Sequence, residues 1–258
     1  MDQQEQQPSA ILDLLPPPGP HTISEEQYKI WYQSWCLKVV TPETLSIYFE
    51  KNGDYLSSVY FNDDTIQNLI SSVGVQNIHA RFVLLDEGQE YKSIKGPTFT
   101  IILYATDTQN KVCSAYHVGF PHYRCFHKKK PNGIKSITGN ISDKLAQTWI
   151  CNWKDIIMNL PFPSVLFTTN YGFLNGYNYL MSDFLYALYP PNTGIESYDI
   201  TIFLAAHKHI PHYWVENNTQ FNIFTFGLVV NSSHKEVGPQ GDGGNTYYDL
   251  SLPCPPNQ

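Results

Sequence analysis

A chain of 258 residues is long enough for one large domain or two of ordinary size. Hydrophobic residues make up 42% of it and charged residues 15%, so a core can form and much of the surface must be uncharged and polar. The net charge is −7, and the only basic run is Lys128-Lys129-Lys130. Because phosphate binding needs a basic face, this balance argues against a nucleic-acid partner.

Cysteine usage and hydropathy predict the compartment. Five cysteines, an odd number at irregular spacing, do not fit a disulfide framework. The start of the chain has no basic residue and no apolar stretch of the kind found in secretory signals. No run of 18 apolar residues follows, so no membrane span is expected. We therefore expect a soluble, cytoplasmic protein.

Residues 1–20 are predicted to be a disordered, Pro-rich tail. They end in Pro16-Pro17-Pro18-Gly19-Pro20, which favours an extended polyproline II conformation and cannot pack as a helix. The apolar stretch from Ile11 to Leu15 leaves open a short docking motif within this tail.

The first helix is predicted to begin after Ser24, where a capping-box pattern precedes apolar residues at helical spacing, and to run to about Lys38. Thr41 and Pro42 then predict a short second helix ending near Asn52-Gly53. Helices therefore open the folded part of the chain.

A short extended segment, Tyr55 to Phe61, leads to a third helix that Asn62 caps and Gly74 ends. Alternating residues from Ile78 to Leu84 predict a strand, and Phe99 to Ala105 predict its partner. A hairpin turn at residues 107–110 leads to a third strand through Val112 and Tyr116. The pattern predicts helices packed on one face of an antiparallel meander.

This pattern recurs later in the chain, which predicts a tandem duplication. Trp31 and Trp35 match Trp149 and Trp153 at a spacing of 118, and there are only five tryptophans in all. Longer loops in the second copy increase the spacing to 119, 120, 124 and 132, in the pairs Asp64 and Asp183, Gly74 and Gly194, Ile101 and Thr225, and Tyr116 and Tyr248.

The predicted fold is therefore α+β, with two tandem similar domains that each pack N-terminal helices on a small antiparallel meander sheet. The first unit spans residues 21–120, a linker spans 121–139 and the second unit spans 140–258. In the second unit, Ser182 is predicted to cap a helix through Tyr189. All four tryptophans of the repeat are predicted to be buried.

Three histidines of the second unit, His207, His209 and His212, are candidate metal ligands. On a strand, the first two point to the same side, which suits one ion such as zinc. Three imidazoles and an open water position would support metal-assisted hydrolysis. The other interpretation is a polar loop at a sheet edge.

Two further groups of residues are candidates for binding. Ligand types without a recognised zinc spacing occur at Cys113, His117, His122, Cys125 and His127. Aromatic residues that could form a stacking surface for sugars or for a protein crowd the second unit, at Tyr171, Tyr177, Tyr179, Tyr186, Tyr189, Tyr213, Trp214, Tyr247 and Tyr248.

The chain ends in Leu252-Pro253-Cys254-Pro255-Pro256. With the order of elements in each repeat, this tail resembles a group of small uncharacterised bacterial proteins that close with a similar Cys-Pro-Pro sequence. The chain departs from the group because it is doubled and has no final Cys after Pro256. The resemblance implies an architecture and no activity.

Motifs for catalysis are not evident: the sequence has no Gly-x-Ser-x-Gly, His-Glu-x-x-His or Cys-x-x-Cys pattern. The glycine-rich residues 238–244 are predicted to be a hairpin loop, since no helix follows to hold a phosphate. The two copies of the predicted domain share no cluster of polar residues. This suggests that a binding surface was duplicated and not an active site. The sequence therefore predicts a non-enzymatic binding or assembly protein with another protein as partner and no cofactor. The alternative is a zinc-dependent hydrolase that uses the three histidines.

Overall fold

The structure is a computed structural model, and it describes residues 21–124, 143–163, 165–169, 172–188, 198–209, 223–234, 246–248 and 252–253. We call residues 21–124 the first half and the described residues from 143 onward the second half. The predicted tail, the glycine-rich loop and residues 125–139 of the predicted linker lie outside the described residues. Across the described ranges, no helix is long and apolar enough to cross a membrane.

The first half forms three α-helices, a 3-10 helix and nine strands: β1 (Thr22–Ile23), α1 (Glu25–Lys38), the 3-10 helix (Pro42–Leu45), α2 (Ser46–Phe49), β2 (Glu50–Lys51), β3 (Asp54–Phe61), α3 (Asp63–Ile70), β4 (Asn77–Leu85), β5 (Glu90–Tyr91), β6 (Ile94–Lys95), β7 (Thr98–Thr106), β8 (Tyr116–Val118) and β9 (Phe120–Arg124).

The described part of the second half forms two α-helices and seven strands: α4 (Asp143–Ile157), β10 (Thr168–Thr169), β11 (Gly172–Phe173), β12 (Gly176–Leu180), α5 (Met181–Leu188), β13 (Tyr198–His209), β14 (Ile223–His234), β15 (Thr246–Tyr248) and β16 (Leu252–Pro253).

The predicted helix starts of the first half are confirmed. The Ser24 side chain accepts a hydrogen bond from the Gln27 amide at 3.2 Å, and Asn62 does the same for Thr65 at 3.2 Å. α1 ends at Lys38 as predicted.

Three helix predictions need correction. α3 ends at Ile70 with Ser71 as its C-cap, before the predicted Gly74. The second helix ends at Phe49, before the predicted Asn52-Gly53, because the next two residues pair with β3. Ser182 does not cap α5, which already begins at Met181, so Ser182 lies in its first turn.

Two antiparallel sheets dominate the fold. Sheet A has the strand order β1-β8-β7-β4-β12-β16. Sheet B has the order β15-β14-β13-β3-β2, with β9 also paired to β3. Two short ribbons, β5-β6 and β10-β11, lie outside these sheets. The α+β class is therefore confirmed.

The expectation that each unit carries a sheet of its own does not hold. β12 of the second half pairs with β4 from Gly176 opposite Arg81 to Leu180 opposite Asn77, and β3 of the first half pairs with β13. Each of these strands satisfies backbone groups that would otherwise line an open sheet edge. Moreover, the first four residues of the predicted linker, 121–124, belong to β9. Both sheets are thus shared between the halves.

The main core lies between the sheets. Alternate residues of β4, including Ile78 and Phe82, meet alternate residues of β13, including Ile202 and Leu204, in one buried cluster. The other face of β4 is also buried, because α1 covers it. α4 covers the outer face of sheet B in the same way. The architecture is a two-sheet sandwich with one long helix on each outer face.

Tryptophans near the ends of α1 and α4 connect the halves. Trp35 Nε1 donates to the Leu174 carbonyl at 2.9 Å, and Trp153 Nε1 donates to the Leu56 carbonyl at 3.0 Å. The two acceptors are 118 positions apart, as the two donors are. Each half therefore donates one tryptophan hydrogen bond to a backbone carbonyl of the other half.

The burial prediction is confirmed for Trp31, Trp35 and Trp153. It is wrong for Trp149, which is half-buried because it lies on the outer face of sheet B beside His207.

Candidate functional site

A cluster of tyrosines lies where the N-terminal part of α1 crosses the outer face of sheet A. Tyr28 comes from α1, Tyr104 from β7 and Tyr116 from β8, and all three are half-buried. The Tyr28 and Tyr116 rings stack 4.5 Å apart at 14°, and Tyr104 lies 5.6 Å from Tyr28 and 5.1 Å from Tyr116. These residues form an aromatic surface that is partly open to solvent, and we call it the tyrosine face.

Two polar side chains of β4, His79 and Arg81, lie beneath the tyrosine face. Arg81 is 4% exposed, and its Nη1 donates to the Tyr177 carbonyl at 3.2 Å and to Asn178 Oδ1 at 2.9 Å. Its Nη2 lies 2.9 Å from His79 Nδ1, while Nε2 of that imidazole lies 2.8 Å from the Thr106 hydroxyl. The network ties β12, which belongs to the second half, to β4.

The imidazole of His79 is neutral at pH 7. Burial, and then the charge of Arg81, lower the pKa of His79 to about 4. Nδ1 of this imidazole lies close to both Arg81 Nη2 and, at 2.8 Å, Asn178 Oδ1, while Nε2 faces the Thr106 hydroxyl, so the tautomer sets which ring nitrogen donates. Its ring also stacks on Tyr104, with centroids 4.8 Å apart. His79 therefore brings no second charge to the site.

The guanidinium of Arg81 has no carboxylate partner among the described residues, whose ion pairs are Lys29 with Glu25 and Lys38 with Asp86. Its hydrogen-bond acceptors are a carbonyl, an amide and a neutral imidazole. The Tyr104 ring lies 5.8 Å from it. A buried positive charge balanced by neutral groups is costly, so this position is unusual.

Gly176 allows β12 to reach this site. Its φ of +148° is one that residues with a side chain rarely adopt, and a Cβ at this position would overlap the Ala80 carbonyl oxygen. Glycine therefore lets β12 begin close against β4, which places Tyr177 and Asn178 beside Arg81.

In the sequence, His79 and Arg81 are ordinary positions of an alternating strand. The available signal was two adjacent polar positions on one face of an otherwise apolar strand.

The outer face of sheet B is built differently. There Ala146 and Ile150 of α4 pack with Phe203 and Ala205 of β13. The corresponding place on sheet A holds Tyr28 with His79 and Arg81. Within the described residues, the arginine and its tyrosines thus belong to one half of the molecule.

The structure places the predicted metal ligands at the end of β13. His207 stacks on Trp149, with ring centroids 3.9 Å apart at 24°, and a Cβ at Gly227 would overlap its ring. The side chain of His209 and the whole of His212 lie outside the described residues. The described part of the chain holds no cluster of three or more His, Cys, Asp or Glu able to bind a metal ion. The metal site stays a prediction.

The second set of possible zinc ligands is not brought together where it is described. Cys113 is half-buried, burial lowers the pKa of His117 to about 4, and His122 stacks on Tyr60. Cys125 and His127 lie outside the described residues.

The predicted aromatic surface is tested at two positions, Tyr177 and Tyr179, which are buried. The side chains of its other members, at positions 171, 186, 189, 213, 214, 247 and 248, lie outside the described residues.

Exposed apolar side chains occur at matched positions in the two halves. Val40 is 51% exposed and its counterpart Met158 is 38% exposed; Ile47 is 57% exposed and its counterpart Val165 is 44% exposed. Both pairs are 118 positions apart, the spacing of the matched tryptophans. Single exposed apolar residues are common, and what distinguishes these four is their shared spacing along the chain.

Comparison of the chain with protein-family models, with curated proteins and with solved structures finds no match.

Proposed function

We propose that the chain is a non-enzymatic binding or assembly protein that acts on another protein through a duplicated surface. The observation that carries the proposal is the pair of exposed apolar positions, Val40 with Ile47 and Met158 with Val165, repeated at one spacing. Apolar side chains that remain in solvent are the groups whose burial stabilises protein complexes. We call the two pairs the matched apolar surface.

The same proposal includes a tandem duplication of one α+β unit. The reciprocal bonds of Trp35 and Trp153 support it. The strand orders support it too, because β8-β7-β4-β12-β16 in sheet A has the same arrangement as β15-β14-β13-β3-β9 in sheet B once the halves are exchanged. On this view, each copy contributes three of these matched strands to one sheet and two to the other.

The proposal is tested by substituting the matched apolar surface. Val40→Asp with Ile47→Asp alters one copy, and Met158→Asp with Val165→Asp alters the other. The full-length variants are compared with the parent chain by affinity capture from the source cells and mass spectrometry. We expect one protein to be retained less by each double variant and lost from the quadruple variant.

A suitable control is Val73→Asp, since Val73 is 92% exposed and lies outside the matched apolar surface. Equal capture by the control and the quadruple variant would contradict the proposal. Circular dichroism of each variant checks that the fold is intact.

The alternative function, a metal-dependent hydrolase using His207, His209 and His212, is distinguished by metal content. A catalytic site would hold about one zinc ion per chain. Under the binding proposal, elemental analysis of the purified chain finds trace metal, and changing His207 and His209 to Ala leaves that content unchanged. Stoichiometric metal that is lost with the two imidazoles would replace the binding proposal with the hydrolase.

A further inference from the structure

We propose that Arg81 and the tyrosine face form a binding site for a carboxylate. The site is separate from the matched apolar surface and belongs to one half of the molecule. Its base is the guanidinium of Arg81, and its walls are the rings of Tyr28, Tyr104 and Tyr116.

Charge is the first reason. Arg81 is buried, and its described acceptors are all neutral. An ion from which water has been removed is stabilised strongly by an opposite charge at hydrogen-bond distance. An anion that reaches Arg81 therefore gains an interaction that solvated arginines on the surface do not offer.

The single positive charge of the site favours an anion with one negative charge. His79 beside Arg81 is neutral because burial and the arginine lower its pKa to about 4. The site thus carries one positive charge, which one carboxylate balances. A phosphate dianion would leave a second negative charge in the same poorly solvated place.

Geometry favours a planar anion. A guanidinium carries five N–H donors, and the three contacts of Arg81 with protein atoms use its two Nη nitrogens. The remaining donors match the two oxygens of a carboxylate. Burial raises the pKa of Tyr28, so its hydroxyl stays protonated, and this hydroxyl shares a hydrogen bond with Tyr104 in the wall of the site.

The half-buried tyrosines provide the approach. Tyr104 covers both the His79 ring and the guanidinium, and it remains partly exposed. Because Arg81 is 4% exposed beneath this ring, access requires the Tyr104 ring to move aside. The approach then lies between aromatic walls, which suits an aromatic acid or an acidic side chain beside an apolar one. Tyrosine around arginine is also the composition of binding hot spots.

The carboxylate can come from a small organic acid or from an acidic side chain of a peptide. The test titrates the full chain with benzoate, with its neutral analogue benzamide, and with the dipeptide amides acetyl-Phe-Glu and acetyl-Phe-Gln. Binding is followed by tyrosine fluorescence and by the thermal midpoint. We expect saturable binding of benzoate and at least about tenfold weaker binding of benzamide.

The dipeptides identify the source. Binding of the Glu dipeptide and not the Gln dipeptide assigns the site to an acidic protein segment. Binding of benzoate alone assigns it to a small acid. Equal responses to benzoate and benzamide, or no saturable response to any acid, would overturn the proposal.

Variants then test the role of Arg81. Arg81→Lys keeps the charge and removes the planar fork, so benzoate binding should weaken about tenfold, whereas Lys95→Met removes an exposed charge on the same half and should leave it unchanged. If Arg81→Lys does not fold, Tyr28→Phe removes the hydroxyl that hydrogen-bonds Tyr104 in the wall of the site and should still weaken binding. Unchanged affinity in both variants would contradict the assignment.

Discussion

At the scale of single residues, Trp35 and Trp153 each link the two halves through one side chain. Each indole is buried among aromatic rings and donates its N–H to a carbonyl of the opposite half. A buried indole without that acceptor would leave a polar group unsatisfied. The position of each tryptophan therefore depends on a backbone carbonyl more than 90 residues away in the sequence.

Replacing either tryptophan with Ala is expected to lower the free energy of unfolding by ~3–5 kcal/mol, because a large aromatic leaves a packed core. Trp149→Ala is the control, since Trp149 is half-buried, and it should cost about 1 kcal/mol. Urea denaturation of the three variants measures the difference. A loss below about 1 kcal/mol for Trp35→Ala would show that its burial does not support the fold.

Two buried histidines predict a dependence of stability on pH. Burial lowers the pKa of both His79 and His117 to about 4 in the folded chain, below the ordinary value of 6.5. Between these values the unfolded chain binds more protons than the folded chain, so stability is lost as the pH falls from 6.5 toward 4. Above pH 6.5 these groups contribute no pH dependence.

Changing both His79 and His117 to Gln should make this acid loss shallower. The measurement is the thermal midpoint at pH 7 and at pH 5 for the parent chain and the double variant. The difference between the two pH values should be smaller in the variant. An unchanged difference would show that these imidazoles are not kept neutral by the fold.

At the scale of elements, the close pairing of β12 with β4 fixes how the two halves pack together. Gly176→Ala should destabilise the chain by about 1–3 kcal/mol, because the new methyl group overlaps the Ala80 carbonyl and the backbone conformation is strained. Gly53→Ala is the matched control: Gly53 also has a positive φ but has no atom within 4 Å of an added Cβ. Chemical denaturation should show the larger loss at Gly176, and equal losses would mean that contact with β4 is unimportant.

Local patterns predicted most individual elements of the first half. The caps at Ser24 and Asn62 and the strand predicted from Ile78 to Leu84 depend on nearby residues, and all three are confirmed. The pairing of β4 with β7 was predicted and is confirmed, but the pairing of strands from different halves could not be predicted, because backbone hydrogen bonds are the same for every residue type. The segment Gly176–Leu180 fits any open antiparallel edge, and only the folded chain shows that its neighbour is β4.

The candidate site was missed for the same reason. Arg81 and its acceptor Asn178 are 97 positions apart, so no sequence window contains both. The sequence instead predicted a site at histidines that lie close together along the chain, because a sequence motif contains only residues that are near each other in the sequence.

At the scale of the whole molecule, the exchanged strands unite the two halves. β3 and β12 each complete the sheet of the opposite half, and one core cluster contains residues of both. Disruption of one half should therefore remove strands and core contacts from the other. We therefore expect the two halves to unfold as one cooperative unit.

Differential scanning calorimetry of the full chain tests this claim most directly, using the parent protein, Trp35→Ala and Trp153→Ala. We predict one transition whose calorimetric and van't Hoff enthalpies agree, and a downward shift of that whole transition in either variant. Two transitions, with Trp35→Ala lowering one and Trp153→Ala lowering the other, would contradict the claim and restore two independent domains.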